Sequence, residues 1–172
     1  YNSFLSSISF DGKKYFYVNP LASMGTYERK NWYDCTCCPP NIQRFIASLP
    51  GYFYSISKDG IYVNLYDTST ANLKLNSGKK VKIEQKTDYL WNGKLLIRVE
   101  PEEKFNLYLR IPIWSENTEI KINGRIYKVR NGNYFKVEIK EKIEIEIKFD
   151  IKGEFYAGNP NIESSRNCLA IK

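Results

Sequence analysis

The sequence predicts a mainly β protein, an antiparallel β-sandwich that follows a short helical segment. Three observations carry this expectation. Seven strand-like runs lie between Gly60 and Phe149, Asp-Gly and Asn-Gly pairs punctuate them, and a single helical spacing of apolar residues comes before them.

The helix comes first. Ile42, Phe45, Ile46 and Leu49 fall at i, i+3, i+4 and i+7, which is one apolar face. Pro39 and Pro40 suit a first turn, where a missing N–H has no intrahelical partner to lose, and Pro50-Gly51 ends the segment. From Tyr52 onward the chain reads as β. The runs 60–66, 80–87, 94–99, 105–111, 118–122, 134–139 and 142–149 favour strands, with turns at Asp59-Gly60, Asn92-Gly93, Asn123-Gly124 and Asn131-Gly132. Asn123-Gly124 joins 119–122 to Arg125-Ile126-Tyr127 as a hairpin. Pro112 has no N–H for a ladder, so it marks a strand end or an edge. Core packing is expected of Trp91 and Trp114, with stacking on a sugar ring as the alternative. Gly158-Asn159-Pro160-Asn161 reads as a linker and 168–172 as the start of a further strand.

Composition narrows the function classes. A chain of 172 residues makes one or at most two domains, and 42% hydrophobic with 15% aromatic residues is ample for a core. The net charge of +7 raises nucleic acid as a partner, yet lysines interleave with glutamates, as in Lys142-Ile143-Glu144-Ile145-Glu146-Ile147-Lys148. Such alternation is a strand with one buried and one solvated face, so no nucleic-acid partner is expected. No run approaches the ~18 apolar residues of a membrane span, and the first residues lack a signal pattern.

The sharpest feature is Cys35-Thr36-Cys37-Cys38, which holds three of the four cysteines immediately before the helix. Unpaired N–H groups at a helix N-terminus favour thiolate over thiol, and thiolate is the form that attacks carbon or binds a soft metal. Three readings compete: structural thiols, a disulfide and a metal site. A disulfide between neighbours is strained. Zinc suits thiolates, but a tetrahedral site needs three or four ligands, and neither a second C-x-x-C nor any histidine exists here. The lack of histidine also removes imidazole-based nucleophilic catalysis within these residues. A catalytic thiol must then be activated otherwise, and metal coordination is one way.

Ile8 to Leu21, Trp32-Tyr33-Asp34-Cys35-Thr36-Cys37-Cys38-Pro39-Pro40-Asn41-Ile42-Gln43-Arg44, 47–52 and 61–66 together resemble glycoside hydrolase family 127, the β-L-arabinofuranosidases. The resemblance implies a fold in which an antiparallel β-sandwich is preceded by the terminal segment of an (α/α)6 barrel. Residues 1–53 would end the barrel's catalytic domain, 54–158 would form the sandwich, and 159–172 would be a linker and the start of a second β-domain. It also implies chemistry: Cys37 matches the nucleophile of a retaining glycosidase that forms a thioglycosyl intermediate, Cys37 and Cys38 match zinc ligands, and the substrate is a carbohydrate.

In that family the other zinc ligands sit in a Glu-x-Cys motif upstream and the general acid/base is a glutamate further upstream. No Glu-x-Cys occurs in these 172 residues. An upstream barrel segment is therefore an expected partner, and the chain alone is expected to be inactive. A cytoplasmic origin follows from the reduced thiols and the family's habit. A glutamate is commoner in the family where Ala22 stands, Tyr1 matches a position near the sugar pocket, and Tyr15, Tyr17 and Trp32 are aromatics near the cysteines without an assigned role. Cys35 and Cys168 read as packed free thiols. The alternative for the whole chain is a non-catalytic β-sandwich that binds carbohydrate or serves as a scaffold.

Overall fold

The computed structural model describes residues 7–14, 17, 23–28, 30, 33–35 and 37–171. It begins its regular structure with helix α1 (Cys38–Ser48) and a 3-10 turn, Leu49–Tyr52. Strands β1 (Tyr54–Ser57), β2 (Gly60–Val63), β3 (Ser69–Lys74) and β4 (Lys80–Thr87) follow, then the short helix α2 (Tyr89–Asn92). Next come β5 (Lys94–Pro101), β6 (Phe105–Arg110), β7 (Glu119–Ile122), β8 (Arg125–Lys128), β9 (Tyr134–Ile139), β10 (Ile143–Lys148), β11 (Phe155–Ala157) and β12 (Leu169–Ile171). The chain divides into two compact units, Tyr1–Pro50 with Tyr156–Ala170, and Gly51–Phe155 with Ile171–Lys172.

The larger unit is the sandwich. One sheet has strand order β1-β2-β6-β9 and the other β3-β4-β5-β10-β7-β8. Every pairing in these two sheets is antiparallel except β2 with β6, which run parallel with Ile61 opposite Leu107 and Val63 opposite Leu109. Period-2 alternation decides which side chains face inward. Ile61, Val63, Leu107, Leu109 and Ile139 of the first sheet meet Ile83, Ile97, Val99, Ile120 and Ile145 of the second in one buried cluster. Gln85 is a polar residue within it. Its side-chain amide donates to the Tyr54 hydroxyl at 2.8 Å and to the Leu65 carbonyl at 3.2 Å, tying β4 to the opposite sheet. Tyr66, whose phenol burial holds strongly in the neutral form, donates to the Arg110 carbonyl at 2.8 Å and rests against Phe149.

Outward positions of the six-stranded sheet carry the charges. Lys82 pairs with Glu84 at 2.6 Å, Arg98 with Glu144 at 2.5 Å, Lys121 with Glu146 at 3.0 Å and Lys142 with Glu100 at 2.5 Å. This is the solvated, mixed-sign face that the alternation implied. Both members of each pair are exposed enough that each contributes little to stability.

Each of the seven expected runs holds a strand. In the two sandwich sheets the unexpected strands are β1 and β3, both edge strands, one on each sheet; β11 was not expected either. An edge strand buries fewer side chains than a central one, so Tyr54–Ser57 and Ser69–Lys74 carry only a weak apolar signal. Asn123-Gly124 does turn a hairpin between β7 and β8. Asn131-Gly132 instead carries the chain from β8 to β9, which belong to different sheets. Pro112 lies just past the end of β6, as expected of a residue without a donor.

In the smaller unit, α1 forms where the spacing placed it, with prolines in its first turn. None of its residues is fully buried, and Phe45 and Ile46 are 48% and 42% exposed. Strands β11 and β12 form a two-stranded ribbon near the C-terminus.

Candidate active site

Cys37 occupies the position just before α1 and Cys38 is the first helical residue. Cys37 already has helical backbone angles, φ −66° and ψ −38°, so the two thiols begin the helical spiral on adjacent positions. Their sulfurs lie 3.6 Å apart. No side chain caps this end of the helix and no acidic residue lies in its first turn, so nothing there offsets the partial positive charge at the N-terminus. The Asn41 side-chain amide donates to the Cys37 carbonyl at 3.0 Å, and the Arg44 guanidinium donates to the Asn41 side-chain oxygen. A side-chain brace thus pins the turn that carries the nucleophile candidate.

Tyr17 completes the local geometry. Its hydroxyl lies 3.0 Å from the Cys37 sulfur. The Tyr17 N–H donates to the Tyr33 hydroxyl at 3.1 Å, and the two rings lie 5.2 Å apart at a tilt of 39°. Hydrogen bonding from Tyr17, then from Cys38 and Cys35, lowers the Cys37 thiol below its ordinary range. The same contact pushes the Tyr17 phenol up, with Cys37 the larger cause and Cys38 the smaller. The contact thus favours the proton on the phenol over the proton on the thiol.

The donor set can be tested against zinc. Two thiolates on one tetrahedral zinc, each about 2.3 Å from the metal, sit about 3.8 Å apart. The 3.6 Å between Cys37 and Cys38 therefore fits one edge of such a site. Among the described residues no group of three or more Cys, Asp or Glu converges on a common point. Cys37 and Cys38 would thus supply two corners of such a site.

All four cysteines are free and exposed. This corrects the expectation of packed thiols at Cys35 and Cys168. Cys35 instead reaches Cys37 by hydrogen bond, as a residue two positions away in an exposed loop can do. Tyr1, Tyr15, Ala22 and Trp32 lie outside the described residues. Tyr17 stood near the cysteines without a role in the sequence, and Tyr33 and Asn41 had none there either. A contact between residues twenty positions apart has no periodicity to betray it.

Comparison with known proteins gives this geometry its context. The sequence profile described as the β-L-arabinofuranosidase family 127 middle domain matches residues 60–152, and that of the family's catalytic domain matches residues 1–51. The chain belongs to glycoside hydrolase family 127. A non-reducing end β-L-arabinofuranosidase of Bifidobacterium longum subsp. longum is 27% identical over 191 residues, covering 99% of this chain and 29% of its own length. The crystal structure of a family 127 β-L-arabinofuranosidase from Geobacillus stearothermophilus T6 superposes with a TM-score of 0.83 at 32% identity, over 98% of this chain and 29% of that one. A family 127 β-arabinofuranosidase gives 0.83 at 35% identity, over 98% and 30%. The chain thus spans less than a third of the length of these family 127 relatives. Its mainly β architecture with a preceding helical segment is the family's own. No described helix is long and apolar enough to cross a membrane.

Proposed function

We propose that this chain is the nucleophile-bearing part of a zinc- and cysteine-dependent retaining glycoside hydrolase that acts on β-L-arabinofuranosides or related sugars. The observation that supports this most directly is the Cys37–Cys38 pair at the start of α1, with the Tyr17 hydroxyl 3.0 Å from the Cys37 sulfur. Cys37, as thiolate, attacks the anomeric carbon and the bond to the leaving-group oxygen breaks, giving a thioglycosyl intermediate that water then hydrolyses. Tyr17 holds a proton toward the sulfur and lowers its basicity. Cys37 and Cys38 would hold zinc, which when bound keeps the nucleophile deprotonated.

The general acid/base and the remaining zinc ligands come, on this reading, from a barrel segment outside these residues. Residues 1–53 belong with that barrel, 54–158 form the sandwich, and 159–172 lead toward a second β-domain. The chain alone is inactive. Free thiols throughout suit a reducing, cytoplasmic compartment.

The test is hydrolysis of p-nitrophenyl β-L-arabinofuranoside by the chain alone and by the chain joined to an upstream family 127 barrel, with Cys37→Ser as control. Activity only in the joined protein, lost in Cys37→Ser, together with a pentosyl mass increase on the Cys37 peptide, is the expected result. Full activity of Cys37→Ser in the joined protein removes the assignment.

A further inference from the structure

Trp91 is the most exposed large apolar side chain among the described residues of the sandwich. Core packing was the expectation for it, yet its side chain is 87% exposed, while Trp114 is 41% exposed and rests against Phe149 with ring centroids 5.6 Å apart. Placing an indole in water forgoes about 1.5–3 kcal/mol or more of burial. The turn that presents it is nonetheless firmly built. Trp91 and Asn92 donate their N–H groups to the Asp88 carbonyl at 2.9 and 3.2 Å, and the Asn92 side-chain oxygen accepts from the Lys94 N–H at 2.9 Å. Gly93 closes it with φ +71°, and the Phe149 N–H donates to the Gly93 carbonyl at 2.8 Å.

Beside the ring lies an open cleft of about 370 Å³, lined by the apolar Trp91, Phe149 and Ile151 and by the polar Asn92, Asn117, Glu119, Lys148 and Asp150. The polar groups are held in place. Asn117 donates to Asp150 at 2.8 Å, Lys152 pairs with Asp150 at 2.9 Å, and the Asp150 N–H donates to the Ser115 hydroxyl at 2.8 Å. A second, larger cleft continues from it along the charged face of the six-stranded sheet and shares Asn92, Glu119 and Lys148 with the first.

An apolar aromatic face beside fixed amides and carboxylates matches a sugar, which offers a C–H face to the ring and vicinal hydroxyls to the polar groups. Five of the cleft's eight lining residues are polar or charged, whereas a protein anchor pocket is mostly apolar around its aromatic. We propose that Trp91 and this cleft form a glycan-binding subsite in which the indole stacks on one sugar residue of a neutral oligosaccharide, with Asn117 and Asp150 hydrogen-bonding its hydroxyls. The subsite lies on the sandwich and involves neither Cys37 nor Cys38, so it stands whether or not the proposed hydrolysis does.

The experiment titrates the full chain with arabino-oligosaccharides, and separately with xylo-oligosaccharides, following tryptophan fluorescence and calorimetric heat. The wild type is compared with Trp91→Ala, Trp91→Phe, Asn117→Ala and Cys37→Ser, each checked for the wild-type circular dichroism spectrum. The expected result is saturable binding of at least one series, weakened tenfold or more by Trp91→Ala, less by Trp91→Phe, severalfold by Asn117→Ala and not at all by Cys37→Ser. Binding that survives Trp91→Ala unchanged overturns the proposal. So does the absence of saturable binding to either series.

Discussion

Gly93 and Gly124 offer a matched pair of perturbations, because both have left-handed backbone angles, φ +71° and +79°, but very different surroundings. A Cβ on Gly124 meets nothing within 4 Å, so Gly124→Ala costs only the left-handed conformation, about 1–2 kcal/mol. A Cβ on Gly93 falls 2.3 Å from the Phe149 carbonyl oxygen. An ordinary C···O approach is about 3.3 Å, so the backbone must retreat by about 1 Å. That retreat breaks the Phe149 N–H to Gly93 carbonyl bond, worth about 0.5–1.5 kcal/mol, and disturbs the buried Phe149 ring at an overpacking cost of about 1–3 kcal/mol. With the backbone term, Gly93→Ala loses about 2.5–6.5 kcal/mol, about 1.5–4.5 more than Gly124→Ala. Urea unfolding followed by circular dichroism measures both, and in thermal melts, at about 2–4 °C per kcal/mol for a chain of this size, the two melting temperatures should differ by about 3 °C or more. Equal losses in the two variants, within 0.5 kcal/mol, would refute the claim that contact with Phe149 rather than backbone angle makes position 93 glycine.

Tyr17→Phe removes the hydroxyl beside Cys37, so the pH profile of iodoacetamide labelling at Cys37, read by peptide mass spectrometry, should move to higher pH while that of Cys168 stays in place; an unmoved Cys37 profile contradicts the role given to Tyr17. Leu107→Ala, at a fully buried position, should destabilise the sandwich by about 2–5 kcal/mol in urea unfolding, and a loss under 1 kcal/mol would mean that the parallel β2·β6 seam is not packed as described. Hydrogen bonds from Lys82, Lys142 and Lys152 depress the carboxyls of Glu84, Glu100 and Asp150 respectively. Groups depressed on folding stabilise above their unfolded values, 4.5 for Glu and 3.8 for Asp, and that stabilisation is lost as pH falls through the lower folded values. Urea midpoints should therefore drop between about pH 5 and pH 2, less steeply for a Glu84→Gln/Glu100→Gln/Asp150→Asn variant, and an identical slope in that variant would count against these ion pairs.

The sandwich was legible because burial imposes a period. Ile143 to Lys148 alternates in sequence as it does in space, and the strands of the buried cluster all carry that signal. Where burial is partial the signal fades, as at the edge strands β1 and β3. The parallel pairing of β2 with β6 was illegible for another reason. Residues 60–63 and 105–110 fit either direction equally well, and the choice rests on how the intervening strands cross to the second sheet. At the site, residue chemistry and position before a helix marked Cys37 and Cys38. Tyr17 meets Cys37 across twenty positions with no sequence period between them, and the exposed placement of Trp91 depends on a turn held by Phe149, 58 positions away.

Helix α1 sets a condition on the chemistry at its tip. It has eleven residues, fewer than the roughly 12–15 at which an isolated helix is even marginal in water, and none of them is fully buried. Of its apolar face, Ile42 and Leu49 are half-buried while Phe45 and Ile46 are exposed, so only part of that face is packed. At 1.5 Å per residue, Leu49 stands about 18 Å from Cys37 along the axis. The 3.6 Å spacing of the two sulfurs is held with Cys37 and Cys38 both in helical conformation. On the proposed chemistry, a substitution at Leu49 that unwinds the helix would reach the thiol without touching a sugar or a sulfur.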